Sequence, residues 1–144
     1  MVRNSRSPRG ASLDLARVLV VDDDPTSRLT LQTVLEAGGY RVDAAATAAE
    51  AVGKMDREQY QLVLSDLQME SPEAGLKVLA HANMMHYKPA TALITTEIKR
   101  SGPRSDGSVL VEPEDVPGLL GKVANLIAGR VGRLLQRQLR NSRN

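Results

Sequence analysis

The sequence predicts an α/β fold, a doubly wound parallel sheet of five strands with helices on both faces. Five short apolar runs alternate with helical patterns along residues 16–128, and the connections between them are short. The apolar runs lack polar alternation, which is typical of strands buried on both faces of a parallel sheet. A chain of 144 residues has the size of one such domain.

The five strands are predicted from apolar runs with turn or loop residues on either side. They lie at 17–21, 40–46, 61–66, 90–95 and 108–111. The first and third runs have the same pattern, because each is followed by a carboxylate. The first leads into Asp22 and the third into Asp66. The second run is the weakest of the five.

The helices are predicted from their start and stop signals. Asp24 is a good N-cap in front of Pro25, and Gly38-Gly39 ends the helix that follows. Residues 47–50 read Thr-Ala-Ala-Glu, which has the form of a capping box. The helices are expected to begin at or near Pro25, Thr47, Gly75 and Glu114.

Composition excludes several kinds of chemistry. The chain has no Cys, which rules out disulfides, thiol catalysis and Cys-ligated metals. It has no Trp and no Phe, so an aromatic platform for stacking bases is not expected. The longest strongly apolar stretch is 18–21, far below the ~20 residues that span a bilayer. No secretory signal is evident, so we expect a cytoplasmic protein without a membrane span.

Charge is distributed unevenly along the chain. Residues 10–129 hold 11 of the 19 basic residues and all 17 acidic ones, a net charge of about −6. Residues 1–9 hold three Arg and no acid, and residues 130–144 hold five Arg and no acid. We therefore expect a flexible basic tail, a folded domain, and a basic helical extension or tail, at 1–15, 16–128 and 129–144.

The C-terminal segment keeps the apolar spacing of a helix beyond Ile127. Gly129 and Gly132 each cost about 1 kcal/mol inside a helix, which predicts a bend or a break. Our preferred interpretation is an extended helix that pairs in a homodimer. The alternatives are a linker, a solvated frayed tail, and binding of nucleic acid or anionic membrane through the five Arg. Nucleic acid is not the partner that we expect.

Acidic side chains follow two of the predicted strands. Asp22 and Asp23 come after the first strand, and Asp66 ends the third. The carboxyl ends of parallel strands meet at one edge of a sheet, so these carboxylates would lie close together and repel each other without a cation. Mg²⁺ takes carboxylate oxygens as ligands, and a carboxylate beside it can attack a phosphoryl group. The pattern indicates a Mg²⁺-assisted phosphoacceptor site at Asp66, with Thr95 or Thr96 donating to a phosphoryl oxygen.

Five segments carry a family resemblance. They are Val-Leu-Val-Val-Asp-Asp-Asp at 18–24, Leu-Val-Leu-Ser-Asp-Leu-Gln-Met at 62–69, Gly-Leu at 75–76, Leu-Ile-Thr-Thr at 93–96 and Val-Glu-Pro at 111–113. With these segments, residues 16–128 resemble the receiver domain of two-component response regulators. The acidic pair together with Asp-Leu-Gln-Met is specific when five βα units frame it. The resemblance implies a flavodoxin-like sheet in the order 2-1-3-4-5.

The resemblance also implies a role for each matching residue. Family members accept a phosphoryl group from a histidine kinase or phosphotransfer protein on the aspartate that matches Asp66. Asp22 and Asp23 match the acidic pair that holds Mg²⁺ with this aspartate, and Gln68 matches the position that lends a backbone carbonyl to the metal. Thr95 matches the switch hydroxyl.

The fifth strand departs from the family pattern. Glu112 stands where the family has a lysine, and Val109 stands at the position of the switch aromatic. A carboxylate at contact distance would oppose phosphorylation by roughly a few kcal/mol at an effective dielectric near 20. One hypothesis is that Glu112 faces the site and hinders phosphorylation. The other is that it points to solvent, while the neighbouring loop supplies positive charge from Lys99, Arg100 or Arg104.

The predicted function is that of a receiver domain in phosphorelay signalling, which is not an enzyme. Its alternative is a pseudo-receiver that acts as a dimerisation or scaffold module without phosphorylation, which Glu112 favours. A Mg²⁺-dependent phosphatase is disfavoured because neither a substrate cap nor a general acid is evident.

The segment 95–112 is short, so a fourth family helix is expected to be reduced or missing. His81 and His86 are expected at the surface or in packing, not as zinc ligands.

Overall fold

The computed structural model describes residues 16–66, 69, 71–94, 110–111 and 116–142. The strands within these residues are β1 (Arg17–Val21), β2 (Arg41–Ala45), β3 (Leu62–Asp66), β4 (Ala90–Ile94) and β5 (Leu110–Val111). The helices within them are α1 (Pro25–Ala37), α2 (Ala48–Arg57), α3 (Pro72–Met84) and α4 (Val116–Ser142).

The strands form one parallel sheet in the order β2-β1-β3-β4-β5, which confirms the predicted fold class. β1 lies between β2 and β3, and its last residue, Val21, pairs with Ala45 on one side and Ser65 on the other. Val18 to Val21 are all fully buried. This burial on both faces explains why the strand has no polar alternation.

Two apolar clusters fill the two faces of the sheet. Because successive side chains of a strand point to opposite faces, Val18 and Val20 pack in one cluster, and Leu19 and Val21 pack in the other. The first cluster also holds buried residues of α1 and α4, and the second holds buried residues of α2 and α3. The sheet is therefore doubly wound, and the described residues place two helices on each face.

Side-chain caps fix the starts of α1 and α2, as the sequence predicts. The Asp24 carboxylate accepts a hydrogen bond from the Ser27 amide at 2.8 Å. The Thr47 hydroxyl accepts from the Glu50 amide at 3.1 Å, and the Glu50 carboxylate accepts from the Ala46 amide at 2.8 Å. These bonds satisfy amides that a helix start leaves without a partner.

The third helix begins earlier than the sequence analysis proposes. α3 starts at Pro72 rather than near Gly75, and it ends at Met84 rather than His86. Ser71 has the extended backbone of an N-cap residue, with φ −150° and ψ 160°, and proline is well suited to the first helical position that follows. The Ser71-Pro72 pair was therefore the stronger start signal.

The last helix is continuous, which agrees with the extended helix that the apolar spacing predicts, and no break occurs at Gly129 or Gly132. α4 runs as one helix of 27 residues. Arg130 lies between the two glycines, and its guanidinium donates to the carbonyl oxygens of Tyr87 at 2.7 Å and Lys88 at 2.9 Å. This attachment to the body of the domain offsets part of the glycine cost. None of the described helices is both long enough and apolar enough to cross a membrane.

Several sequence-based expectations concern residues outside the described ranges. They include strand residues 108–109, the reduced fourth family helix within 95–112, the tail at 1–15, the aromatic position at Val109 and the basic residues Lys99, Arg100 and Arg104.

We expect Gly39→Ala to destabilise the domain by about 1–2 kcal/mol in urea unfolding. Gly39 follows α1 with φ 101°, a backbone conformation that a Cβ atom disfavours by this amount. Gly121→Ala is the matched control, because a Cβ at that exposed position of α4 meets nothing within 4 Å. Alanine should raise stability there by up to about 1 kcal/mol. A loss of stability in both variants, or in neither, would contradict this account.

Candidate functional site

Parallel pairing of β1 with β3 brings two acidic residues to one edge of the sheet. Val21 pairs with Ser65, so the next residues along the two strands, Asp22 and Asp66, both lie at the carboxyl edge. The Asp22 amide donates to the Ala45 carbonyl at 3.0 Å, which continues the pairing with β2 by one residue. The backbone at Asp22 is thus held by its neighbouring strand before the chain turns into α1.

Three carboxylates meet at this edge. One oxygen from each of Asp22, Asp23 and Asp66 lies within 4.8 Å of the other two. Asp22 is 1% exposed, Asp66 is partly buried, and Asp23 is exposed. The cluster therefore extends from the buried end of β1 to the surface.

Two further contacts hold Asp22 in place. The Asp24 amide donates to Asp22 Oδ1 at 2.9 Å, and Arg28 Nη1 donates to the Asp22 carbonyl oxygen at 2.9 Å. Arg28 was not predicted to lie at the site, although it is the only basic residue of α1. Its position in the first turns of α1 places a guanidinium beside the acidic cluster.

Burial raises the pKa of Asp22 above its ordinary value, because a charged carboxylate loses hydration there. The hydrogen bond from the Asp24 amide opposes this rise, and the negative charges of Asp23 and Asp24 add to it. In contrast, hydrogen bonding from Ser27 lowers the pKa of Asp24. Asp24 thus acts as a helix cap, as expected, and Asp22 lies in an environment that favours charge neutralisation.

The donor set fits a hard divalent cation. It consists of carboxylate oxygens alone, which are the ligands that Mg²⁺ and Ca²⁺ prefer. Mg–O distances are about 2.0–2.1 Å, so oxygens on opposite sides of one ion lie about 4 Å apart, and the three carboxylate oxygens here all lie within 4.8 Å of one another. Neutralisation by a cation would also relieve the repulsion among the three acids.

The remaining residues of the proposed site lie outside the described ranges. They are Gln68, Thr95, Thr96 and Glu112. The last described residue of β4, Ile94, pairs with Asp66. The roles of these four residues stay predictions from the sequence.

His81 contacts a carboxylate that the sequence analysis did not pair with it. His81 Nε2 lies 2.8 Å from Asp56 Oδ1, which links α3 to α2. The His86 ring meets the Tyr87 ring edge-on, with centroids 5.7 Å apart. Both histidines take part in surface and packing contacts, and neither belongs to the acidic cluster.

A doubly wound sheet with acids gathered at the carboxyl ends of its first and third strands defines a signalling domain of the receiver class. The response regulator receiver domain model matches residues 18–102 of the chain. The chain therefore belongs to the family of receiver domains of two-component response regulators. Receiver domains interact with histidine kinases or phosphotransfer proteins.

Curated relatives support the same family. A gliding motility regulatory protein of Myxococcus xanthus is 34% identical over 118 residues, which cover 81% of this chain and 14% of that protein. The sensory/regulatory protein RpfC of Xanthomonas campestris is 31% identical over 119 residues, covering 76% of this chain and 16% of that protein. The chain thus spans only about one sixth or less of the length of these relatives.

Solved structures share the fold. A CheY-like receiver domain protein from Methanospirillum hungatei aligns with a TM-score of 0.66 and 25% identity, over 83% of this chain and 99% of that one. The response regulator protein TrrA from Thermotoga maritima, in complex with Mg²⁺-BeF, aligns with a TM-score of 0.66 and 30% identity, over 78% of this chain and 99% of that one.

We expect Asp22→Asn to raise the melting temperature of the metal-free protein at neutral pH. The folded state raises the pKa of Asp22, so the native protein binds more protons than the unfolded chain between the two pKa values. Its stability therefore falls as pH rises through this window, and the asparagine variant lacks this loss. The advantage of the variant should shrink toward about pH 4, where the unfolded carboxyl also gains its proton.

Asp24→Asn is the matched control for this prediction. The pKa of Asp24 is lowered in the folded state, so its charge stabilises the protein above the unfolded pKa. Removing that charge should give no gain in melting temperature at neutral pH. Equal gains in both variants would show that general charge reduction, rather than burial of Asp22, is responsible.

Proposed function

We propose that the chain is a phosphoacceptor receiver domain that takes a phosphoryl group on Asp66. The observation that carries this proposal is that two carboxylates directly after β1 meet the carboxylate at the end of β3, at one edge of the sheet. The phosphoryl donor is a histidine kinase or a phosphotransfer protein. The proposal extends the family membership to a specific reaction in this chain.

Burial distinguishes the roles of the acids. Asp22 is 1% exposed and its oxygen Oδ1 is occupied by the Asp24 amide, so it is poorly placed to meet a phosphoryl donor. Asp66 is partly buried at the end of a paired strand, which gives it both access and a fixed position. The match of Asp66 to the family's acceptor aspartate favours Asp66 over the exposed Asp23.

The reaction is a simple displacement at phosphorus. A carboxylate oxygen of Asp66 bonds to phosphorus while the bond from phosphorus to the donor's imidazole nitrogen breaks, which leaves an acyl phosphate. Asp22, Asp23 and Asp66 would hold Mg²⁺, with the Gln68 carbonyl as a further ligand. Bound there, Mg²⁺ would neutralise charge on the carboxylates and on the phosphoryl oxygens. The relative TrrA was crystallised with Mg²⁺-BeF, which supports this assignment.

The roles that we propose for Thr95 and Glu112 are based on the sequence alone. Thr95 would donate its hydroxyl to a phosphoryl oxygen and report the phosphorylated state. Glu112 replaces the family lysine, so phosphorylation would proceed with less positive charge than is usual in the family. Arg28 lies beside the Asp22 carbonyl and contributes one positive charge at this end of the sheet.

We expect intact mass spectrometry to detect one added phosphoryl group after incubation with acetyl phosphate and Mg²⁺. Asp66→Asn should abolish this addition, and chelation of Mg²⁺ by EDTA should suppress it. Asp56→Asn is the control, because Asp56 contacts His81 on α3 and lies outside the cluster. Labelling that persists in Asp66→Asn would refute Asp66 as the acceptor. Turnover of a small phosphoester would instead indicate a phosphatase.

Glu112→Lys should increase the extent of phosphorylation under the same conditions. The change replaces a repulsive charge with the attractive one that the family uses, a difference of roughly a few kcal/mol at contact distance and an effective dielectric near 20. Glu112→Gln should give an intermediate gain, since it removes the repulsion alone. Unchanged labelling in both variants would favour a Glu112 that points to solvent.

A further inference from the structure

The last helix carries an exposed apolar stripe. Val131 is 46% exposed, Leu135 is 55% exposed and Leu139 is 62% exposed. Exposed Ala124 and Ala128 continue the same line toward the start of the helix. With about 3.6 residues per turn, spacings of four, three, four and four residues keep all five positions on one side of α4. We call these five residues the α4 stripe.

The α4 stripe lies on a side of the helix that does not face the sheet. Leu119 and Val123 are buried in the core, and Arg130 continues their side of the helix by donating to the carbonyls of Tyr87 and Lys88. Those two residues lie just before β4, at the amino-terminal edge of the sheet. The 12 residues after Arg130 therefore extend about 18 Å beyond the edge opposite to the acidic cluster.

The arginines of the extension lie on about the opposite side of the helix from the α4 stripe. They occupy positions 130, 133, 137 and 140, with spacings of three, four and three residues. Helices that lie on anionic membranes also carry Lys or Arg on the polar face, but they bury a large apolar face that often includes Trp or Phe. The α4 stripe has no aromatic side chain, and two of its five residues are alanine, which suits close packing of helices better than insertion into lipid. Two copies that pair through the α4 stripe direct their cations outward, where they repel each other least.

We propose that α4 pairs with α4 of a second copy of this chain in an antiparallel arrangement. Under a two-fold axis near Val131, the small and large members of the α4 stripe alternate across the interface. Ala128 then lies opposite the Leu135 position of the second copy, and Ala124 lies opposite the Leu139 position. Such self-complementarity is what an isologous interface requires.

Charge favours the antiparallel arrangement over the parallel one. Residues 130–144 hold five Arg and no acid, whereas residues 10–129 carry a net charge of about −6. Antiparallel pairing places each basic extension along the acidic domain of the other copy. Parallel pairing would place the two basic extensions side by side. This proposal does not depend on phosphorylation, because the α4 stripe extends from the sheet edge opposite to Asp66.

Sedimentation equilibrium of the full chain tests the pairing. We expect the mass of a dimer, with a monomer fraction that grows on dilution. Leu135→Glu should shift the protein to the monomer, whereas Gln136→Glu adds the same charge at the neighbouring exposed position and should leave the dimer intact. Circular dichroism confirms that each variant is folded. A wild-type monomer at all concentrations, or equal behaviour of the two variants, would overturn the proposal.

Cross-linking tests the orientation, and the absence of Cys from the chain makes single cysteines unambiguous. A short bismaleimide should join Ala128→Cys to Leu135→Cys in a mixture more efficiently than either variant joins to itself. Efficient self-linking of Leu139→Cys would indicate parallel helices and overturn the arrangement. A monomer that binds anionic vesicles or DNA through residues 130–140 would overturn the proposal in favour of those partners.

Discussion

The parallel pairing of β1 with β3 is the constraint on which the candidate site depends. This pairing has a definite register, with Val18 opposite Leu62 and Val21 opposite Ser65. A shift of β1 by one residue would turn every side chain of the strand to the other face, and it would bring Arg17 or Asp22 to a position that a buried aliphatic side chain now fills. Packing of aliphatic side chains therefore fixes the register, and the register in turn brings Asp22 and Asp66 to the same edge. The acids do not assemble the site; the core places them there.

The same constraint makes the site a local source of instability. Asp22 lies at the end of a fully buried strand, where burial raises its pKa and two further acids are close in sequence. One oxygen from each of three carboxylates lies within 4.8 Å of the other two, and their mutual repulsion adds to this cost. Such concentrations of unfavourable charge are typical of functional sites, where the bound ligand supplies the compensating interaction.

The domain presents two distinct surfaces at opposite edges of its sheet. The acidic cluster lies at the carboxyl ends of β1 and β3, and α4 leaves the domain past the residues that precede β4. Tyr87 and Lys88 connect α4 to the sheet. Their carbonyl oxygens accept hydrogen bonds from Arg130, and the chain then leads into β4. β4 in turn pairs with β3, which carries Asp66. Hydrogen bonds from Arg130 and the pairing of β4 with β3 therefore attach the helical extension to the same sheet that carries the acidic cluster.

The sequence by itself determined the positions of the apolar strands, the caps at Asp24 and Thr47 and the fold class. These features depend on local composition and on the spacing of apolar residues along the chain. It also identified the three acids, since each follows a recognisable apolar run. Only the tertiary structure decided how close those acids lie, because their separation depends on strand pairing between distant segments. Local signals conflicted for α4, where the apolar spacing predicted an extended helix, whereas Gly129 and Gly132 predicted a bend or a break. A contact from Arg130 to a loop 43 residues earlier offsets part of the cost of these glycines, and no local pattern contains such a contact.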